Sequence, residues 1–305
     1  YESKLFTISV GGIEAGGVGK SPVTQYLLGQ LLKMDRRPAL VSRGYGRRSD
    51  GLVIRHPSTP AVAADIGDEP AMMVAAGLDV PIAVCASRKD AVRALEVKGQ
   101  CDVLVLDDGF AHRALYRHLE VVVLRAEAPF GSGQLLPAGT LREPPAGLKR
   151  AHILWFHDKR GVCDEEAIAQ ARALAPHALC IRSEGTVVGA RDGRGQPLDF
   201  SGTRVVAAAG IARPADLRHT LERAGLEVAA LMAYPDHHVF TLRDVEHMRA
   251  TCQQHRAQCV AVTAKDAVKL EALWQDDPEG WMVLDYGVSV SEGVDQLMVL
   301  LNQTV

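Results

Sequence analysis

The groups most able to do chemistry in this 305-residue chain begin with Gly16-Gly17-Val18-Gly19-Lys20-Ser21. Three glycines let successive backbone N–H groups turn toward one anion, and a helix starting near Ser21 adds its positive end. In such a loop the lysine, Lys20, reaches the outer phosphates of a nucleotide and the hydroxyl of Ser21 ligates Mg²⁺. The stretch departs from G-x-x-x-x-G-K-[ST] at one place, because Glu14 stands where the first glycine belongs. Standing alone, the bland reading is a glycine-rich turn with a solvated lysine.

Four further stretches carry candidate groups. An apolar run ends in Asp107-Asp108, which places a carboxylate beside a phosphate loop's Mg²⁺ if the run is a strand next to that loop; otherwise Asp-Asp-Gly is a turn. Residues 65–70, DIGDEP, hold three carboxylates in five positions. They read either as a solvated helix start with Asp68 as N-cap, or as the place where one carboxylate serves as a base. In YPDHH, residues 234–238, the adjacent His237 and His238 suggest a metal pair or a polar turn. Residues 131–144 form a long glycine- and proline-rich loop ending in Arg142-Glu143, and loops of that length are disproportionately functional.

These groups need elements to hold them. Residues 5–10 are an apolar run rich in β-formers, and from Ser21 onward Val23, Leu27 and Leu31 fall on one helical face, with Pro22 tolerated in the first turn. Strand, glycine loop and helix form the context a phosphate loop requires. Further strands are expected at 39–42, 103–106, 121–124 and 153–156, with helices at 69–76, 91–97 and 165–175 between them. After a turn-rich stretch at 185–202, read as a hairpin or linker, come strands at 205–209, 260–263 and 282–284 and helices at 215–224, 242–255, 266–273 and 291–301. The alternation predicts an α/β fold: a P-loop NTPase-like, mostly parallel sheet flanked by helices, with a second, smaller α/β domain joined by a hairpin-like linker. The expected domains are 1–180 and 181–305, the last helix being free to pack back on the first.

Composition agrees with a globular protein, at 47% hydrophobic and 23% charged residues. A net charge of −3 offers a nucleic-acid partner no bulk attraction, although Arg36-Arg37 and Arg47-Arg48 are local basic pairs. The six cysteines show no metal-ligand spacing and read as reduced, buried thiols of a cytoplasmic protein. No apolar run approaches the ~20 residues that cross a bilayer. The chain opens at Tyr1 rather than methionine, which leaves room for a membrane-attaching segment ahead of it.

Taken in order, GGVGKSP, SRGYG (42–46), GDEP (67–70), DDGFAH (107–112), LLPAGTLREP (135–144), AAGIARP (208–214), YPDHH and TAKDAVKL (263–270) resemble the tetraacyldisaccharide 4′-kinases of lipid A biosynthesis. The resemblance runs nearly the whole length of the chain. It implies transfer of phosphate from MgATP to the 4′-hydroxyl of a tetraacyldisaccharide 1-phosphate. It further implies that Asp68 is the base, assisted by His237 (with His238 not excluded) from the C-terminal domain. ATP would lie on Gly16, Gly17, Val18, Gly19, Lys20 and Ser21, and Mg²⁺ on Ser21, Asp107, Asp108 and Glu143. Arg142, His112 and Arg43 would meet phosphates or substrate. The implied setting is the cytoplasmic face of the bacterial inner membrane, with peripheral membrane contact, a lipid partner, no nucleic acid and no obligate protein partner. The sequence departs from the family at Glu14 (usually Thr or Ser), Gly12 (Asn), Ala111 (Gln), Ser132 (Asn) and Ala264 (Glu), and shows no hydrophobic helix ahead of the loop. Glu14 is therefore expected to point away from the nucleotide, toward a basic residue or solvent. The competing reading is a P-loop metallochaperone or nucleotide-dependent switch with His237 and His238 as metal ligands.

Overall fold

A computed structural model describes residues 1–210, 214–235, 238–274 and 277–304. It divides into two compact units, one of Tyr1–Glu184 with Ser289–Val305 and one of Gly185–Val288.

In the first unit, strands β1 (Phe6–Gly11), β2 (Pro38–Ser42), β4 (Ile82–Val84), β5 (Val103–Asp107), β6 (Leu119–Arg125), β7 (Ile153–Asp158) and the start of β8 (Leu179–Asp192) are parallel. A short β3 (Val53–Arg55) runs antiparallel on the edge. The order is β8-β7-β6-β1-β5-β2-β4-β3. Strands β1, β2, β5 and β6 are buried nearly throughout, as continuous apolar runs must be when helices cover both faces of a parallel sheet. Helix α1 (Lys20–Lys33) supplies one cover through Val23, Leu27, Leu28 and Leu31; its last turn is followed by Asp35 in the left-handed region. Helices α2 (Ala63–Ile66), α3 (Asp68–Ala75), α4 (Arg88–Lys98) and α5 (Glu165–Leu174) and a 3₁₀ turn at Pro145–Arg150 complete the connections. The C-terminal α9 (Val294–Thr304) also belongs to this unit.

The second unit has the strand order β10 (Glu227–Tyr234), β9 (Arg204–Gly210), β11 (Cys259–Thr263), β12 (Trp281–Glu292), all parallel. Helices α6 (Pro214–Arg223), α7 (Leu242–Gln254) and α8 (Ala264–Trp274) connect them. The start of α7 is fixed by a reciprocal cap between Thr241 and Asp244, which satisfies two backbone donors at once.

Three expectations are corrected. Residues 185–192 are not linker but the continuation of β8, whose inward positions Ile181, Ser183, Gly185 and Val187 alternate with more exposed ones, while the hairpin alternative holds at its end, where Arg191 bridges Pro197 and Leu198 N donates to Ala190 O. Serine and glycine at two inward positions hide the two-residue period. Gly185 lies against the Tyr286 ring, and a β-carbon there would displace its hydroxyl. Asp68 is the first residue of α3, and Gly67 occupies the cap. Of the cysteines, Cys85, Cys101 and Cys259 are buried, whereas Cys163 is exposed. Strand β10 had no sequence signal, because EVAALMAY is rich in helix formers and becomes a strand by pairing with β9.

Candidate active site

The phosphate-type loop leaves β1 in the interior of the sheet, and α1 begins at Lys20. Gly16 and Gly19 have φ of 97° and 98°, a region that L side chains avoid. Gly19 also lies against the ring of His157 so closely that a β-carbon would overlap it. His157, fully buried, accepts no charge: burial and the nearby Lys159 push its pKa down to about 3. Its Nδ1 meets Ser183 Oγ at 3.0 Å, and that oxygen accepts from Trp155 Nε1 at 2.7 Å. On the outer side, Lys159 Nζ donates to the Gly17 carbonyl at 2.7 Å. Gly19→Ala is expected to lower the unfolding free energy by about 2 kcal/mol, from backbone strain plus displacement of His157. Urea titration checks this, and a loss under about 0.5 kcal/mol would show that the ring yields freely.

Strand register sets the carboxylates. Val10, just ahead of the loop, pairs with Asp107 at the end of β5. Asp107 is buried, its Oδ1 lacks a partner, and its pKa is raised well above the carboxylate range by burial and then by the charges of Glu69 and Asp108. Asp108 adopts φ of 49°, which turns its side chain to Lys20 Nζ (3.3 Å) and Arg142 Nη1 (2.6 Å). Burial works to raise the Asp108 pKa, but Lys20 and Arg142 outweigh it and hold it low. Ser21 is half-buried in the first turn of α1.

The 131–144 loop is laid directly on the phosphate loop. Ala15 N donates to Thr140 O at 2.8 Å and Arg142 N to Ile13 O at 2.7 Å, and Glu14 forms an antiparallel bridge with Leu141. Arg142 thereby reaches Asp108, whereas the Glu143 carboxylate faces Arg150 at 2.8 Å and Arg113 at 3.5 Å. Glu14 does point away from the loop's anion side: it makes a two-pronged pair with Arg125, at 2.8 and 2.9 Å.

Asp68 is nearly buried at the start of α3, 3.9 Å from where a β-carbon on Gly46 would lie. Arg43, which follows β2, is exposed. A basic group that the motifs did not single out, Arg88, opens α4 and is 6% exposed with its Nε unpartnered. Burial lowers its pKa first and Arg43 second, while Asp107 and Asp108 oppose. His112 lies in the same field: burial and then Arg88, Arg117 and Arg43 depress its pKa, and its Nε2 has no partner. Sequence offered no signal for Arg88 beyond an ordinary SRKD helix start; its burial is what distinguishes it. His237 lies outside the described residues. His238 Nε2 is 3.2 Å from Asp244 Oδ2.

The family model described as tetraacyldisaccharide-1-P 4′-kinase matches residues 1–303. The chain belongs to this family. Among similar members, the tetraacyldisaccharide 4′-kinase of Anaeromyxobacter dehalogenans (strain 2CP-C) is 39% identical over 87% of this chain and 72% of its own length. That of Syntrophus aciditrophicus is 37% identical over 88% and 79%, and that of Francisella tularensis subsp. holarctica (strain LVS) 32% over 95% and 87%. The crystal structure of LpxK from Aquifex aeolicus, in complex with ATP, superposes with a TM-score of 0.75 at 25% identity, covering 100% of this chain and 90% of that one. The fold of that structure is thus shared, and in this chain the 16–21 loop, Asp107-Asp108 and the 131–144 loop lie in one cluster. Among the described residues, no helix is long and apolar enough to cross a membrane.

Proposed function

We propose that this chain transfers the γ-phosphate of ATP to the 4′-hydroxyl of a tetraacyldisaccharide 1-phosphate, a step of lipid A synthesis, at the cytoplasmic face of the bacterial inner membrane. The observation that carries the reading is the junction of Lys20, Asp108 and Arg142 at the mouth of the phosphate loop, beside Asp107, whose Oδ1 has no partner. Family membership identifies the acceptor.

Gly16 to Gly19 and the first turn of α1 bind the phosphates through backbone N–H groups, and Lys20 and Arg142 balance their charge. The residues fit Mg²⁺: Asp107 is a buried carboxylate crowded by Glu69 and Asp108 with only Lys20 lowering its pKa among the main influences, and Ser21 adds a hydroxyl. Ser21, Asp107 and Asp108 would hold the ion, which when bound would neutralise negative charge on the nucleotide's phosphates. Glu143 instead braces Arg150 and Arg113. An alcohol is a poor nucleophile, and Asp68 accepts its proton as the phosphoryl group transfers; the assisting role implied for His237 falls outside the described residues. Arg43 and Arg88 supply positive charge suited to the acceptor's own phosphate, with His112, its pKa lowered by burial and by both arginines, in the same field; a buried guanidinium without a full set of partners is stabilised by an anion. Exposed Tyr45, Leu52 and Val62 are available to meet acyl chains or the membrane surface.

The reading is tested by incubating the protein with this lipid in detergent micelles and γ-labelled ATP. Label should move to the lipid, and its failure to move beside an active family member would refute the reading. Arg88→Gln should raise the lipid KM about tenfold or more through loss of a charge-assisted contact, with the ATP KM unchanged; an equal rise for ATP would place Arg88 elsewhere. The metallochaperone reading gains nothing from the described residues, where His238 is engaged by Asp244.

A further inference from the structure

Glu14 is the residue that the phosphate-loop pattern leaves unexplained, and its surroundings are elaborate for a surface loop. The carboxylate is 3% exposed and Arg125 9%. Arg125 ends β6, the strand hydrogen-bonded to β1, so the pair ties the loop that follows β1 to the adjoining strand. The guanidinium grips both Glu14 oxygens and extends a third contact, 3.1 Å, to Glu127. Around Glu14 the backbone holds the second loop at three places: Ile13 accepts from Arg142, Glu14 bridges Leu141, and Ala15 donates to Thr140. The opposite end of that loop rests on the same carboxylate, because a β-carbon on Gly131 would come within 2.7 Å of Glu14 Oε1. The side chain of Arg142 then closes on Asp108, which meets Lys20.

We propose that the buried Glu14–Arg125 pair is a clamp that positions Arg142 against the nucleotide site. Glu14 acts through Arg142 and is a positioning residue, with Arg125 cancelling a charge that would otherwise repel phosphate. The proposal rests on the 16–21 loop being the nucleotide site. A hydroxyl at position 14 could not make the two-pronged pair that Glu14 makes with Arg125. Two charges buried in this way depend on each other: removing Glu14 takes two of the three contacts from Arg125 and leaves it Glu127 alone among those described.

The test is a double-mutant cycle read in the dissociation constant for MgATP, which does not depend on the acceptor. Wild type, Glu14→Gln, Arg142→Ala and the double variant are titrated. Each single variant should weaken binding about tenfold, and Arg142→Ala should cost less than about twofold once Glu14 is Gln, because contacting or coupled residues deviate from additivity by this order. A purely structural role would leave the two losses multiplicative, and that result overturns the clamp. So does an unchanged dissociation constant in either single variant, or tighter binding by Glu14→Thr. If Glu14→Gln does not fold, Glu14→Gln with Arg125→Met removes both buried charges and serves as the background, with the same two outcomes. Wild-type protein that bound no MgATP would refute the nucleotide site itself; wild type that bound MgATP but phosphorylated no lipid would refute only the acceptor.

Discussion

Asparagine at position 68 is expected to lower kcat by about 10²–10⁴-fold, the contribution typical of a positioned general base. The MgATP dissociation constant should change by less than about twofold. The separation follows from where Asp68 sits. It opens α3, and its predecessor Gly67 has φ of 92° and lies so near the Tyr45 carbonyl that a β-carbon would come within 2.8 Å of it. Glycine in GDEP thus allows the helix start to approach the 43–46 segment closely, and it brings the carboxylate of Asp68 toward Gly46. None of these contacts involves the phosphate loop. Asparagine keeps the shape and loses the basicity, so the unfolding midpoint checks that the fold is retained. Stopped-flow or quench kinetics give kcat, and a parallel loss of nucleotide binding would remove Asp68 from the base role.

Replacing Lys20 by methionine is expected to damage both terms. Affinity for MgATP should fall about 10–100-fold, the scale of losing a hydrogen bond to a charged group, and kcat a further ~10²-fold or more, as when a preorganised charge facing the transition state is removed. The structure adds a reason specific to this chain. Lys20 contributes to lowering the pKa of both Asp107 and Asp108, and without it buried Asp107, half-buried Asp108 and Glu69 share one small region with less compensation. Methionine retains the stem that packs at the start of α1, so the loss reports charge rather than a cavity. Equilibrium titration and steady-state kinetics measure the two parts; unchanged kcat at saturating ATP would show that Lys20 serves ground-state binding alone.

How much was legible beforehand depends on how local each signal is. The run β1, loop, α1 was readable because glycines, lysine and the switch from strand to helical spacing are adjacent in sequence. Asp107-Asp108 was readable because an apolar strand ends there, and the β1–β5 register explains why it lies beside the loop. Arg88 was not, since nothing in a charged helix start announces that its guanidinium will be buried near Arg43 and His112. The partner of Glu14 lies 111 residues away; charge repulsion alone predicted the direction of Glu14, but only folding shows that the cation it meets is Arg125. Strand β8 was lost to small residues at inward positions, and β10 to alanines that take their conformation from a neighbouring strand. The second is a case where tertiary pairing overrides local preference; in the first, small side chains hide the two-residue period.

The most direct measurement is the location of the phosphate on the lipid product made by purified protein, MgATP and tetraacyldisaccharide 1-phosphate, read by phosphorus–proton correlation NMR. A new phosphate on the 4′-carbon, formed by wild type and lost with Asp68→Asn, is the predicted result. Absence of product, or phosphate at any other carbon, would contradict it.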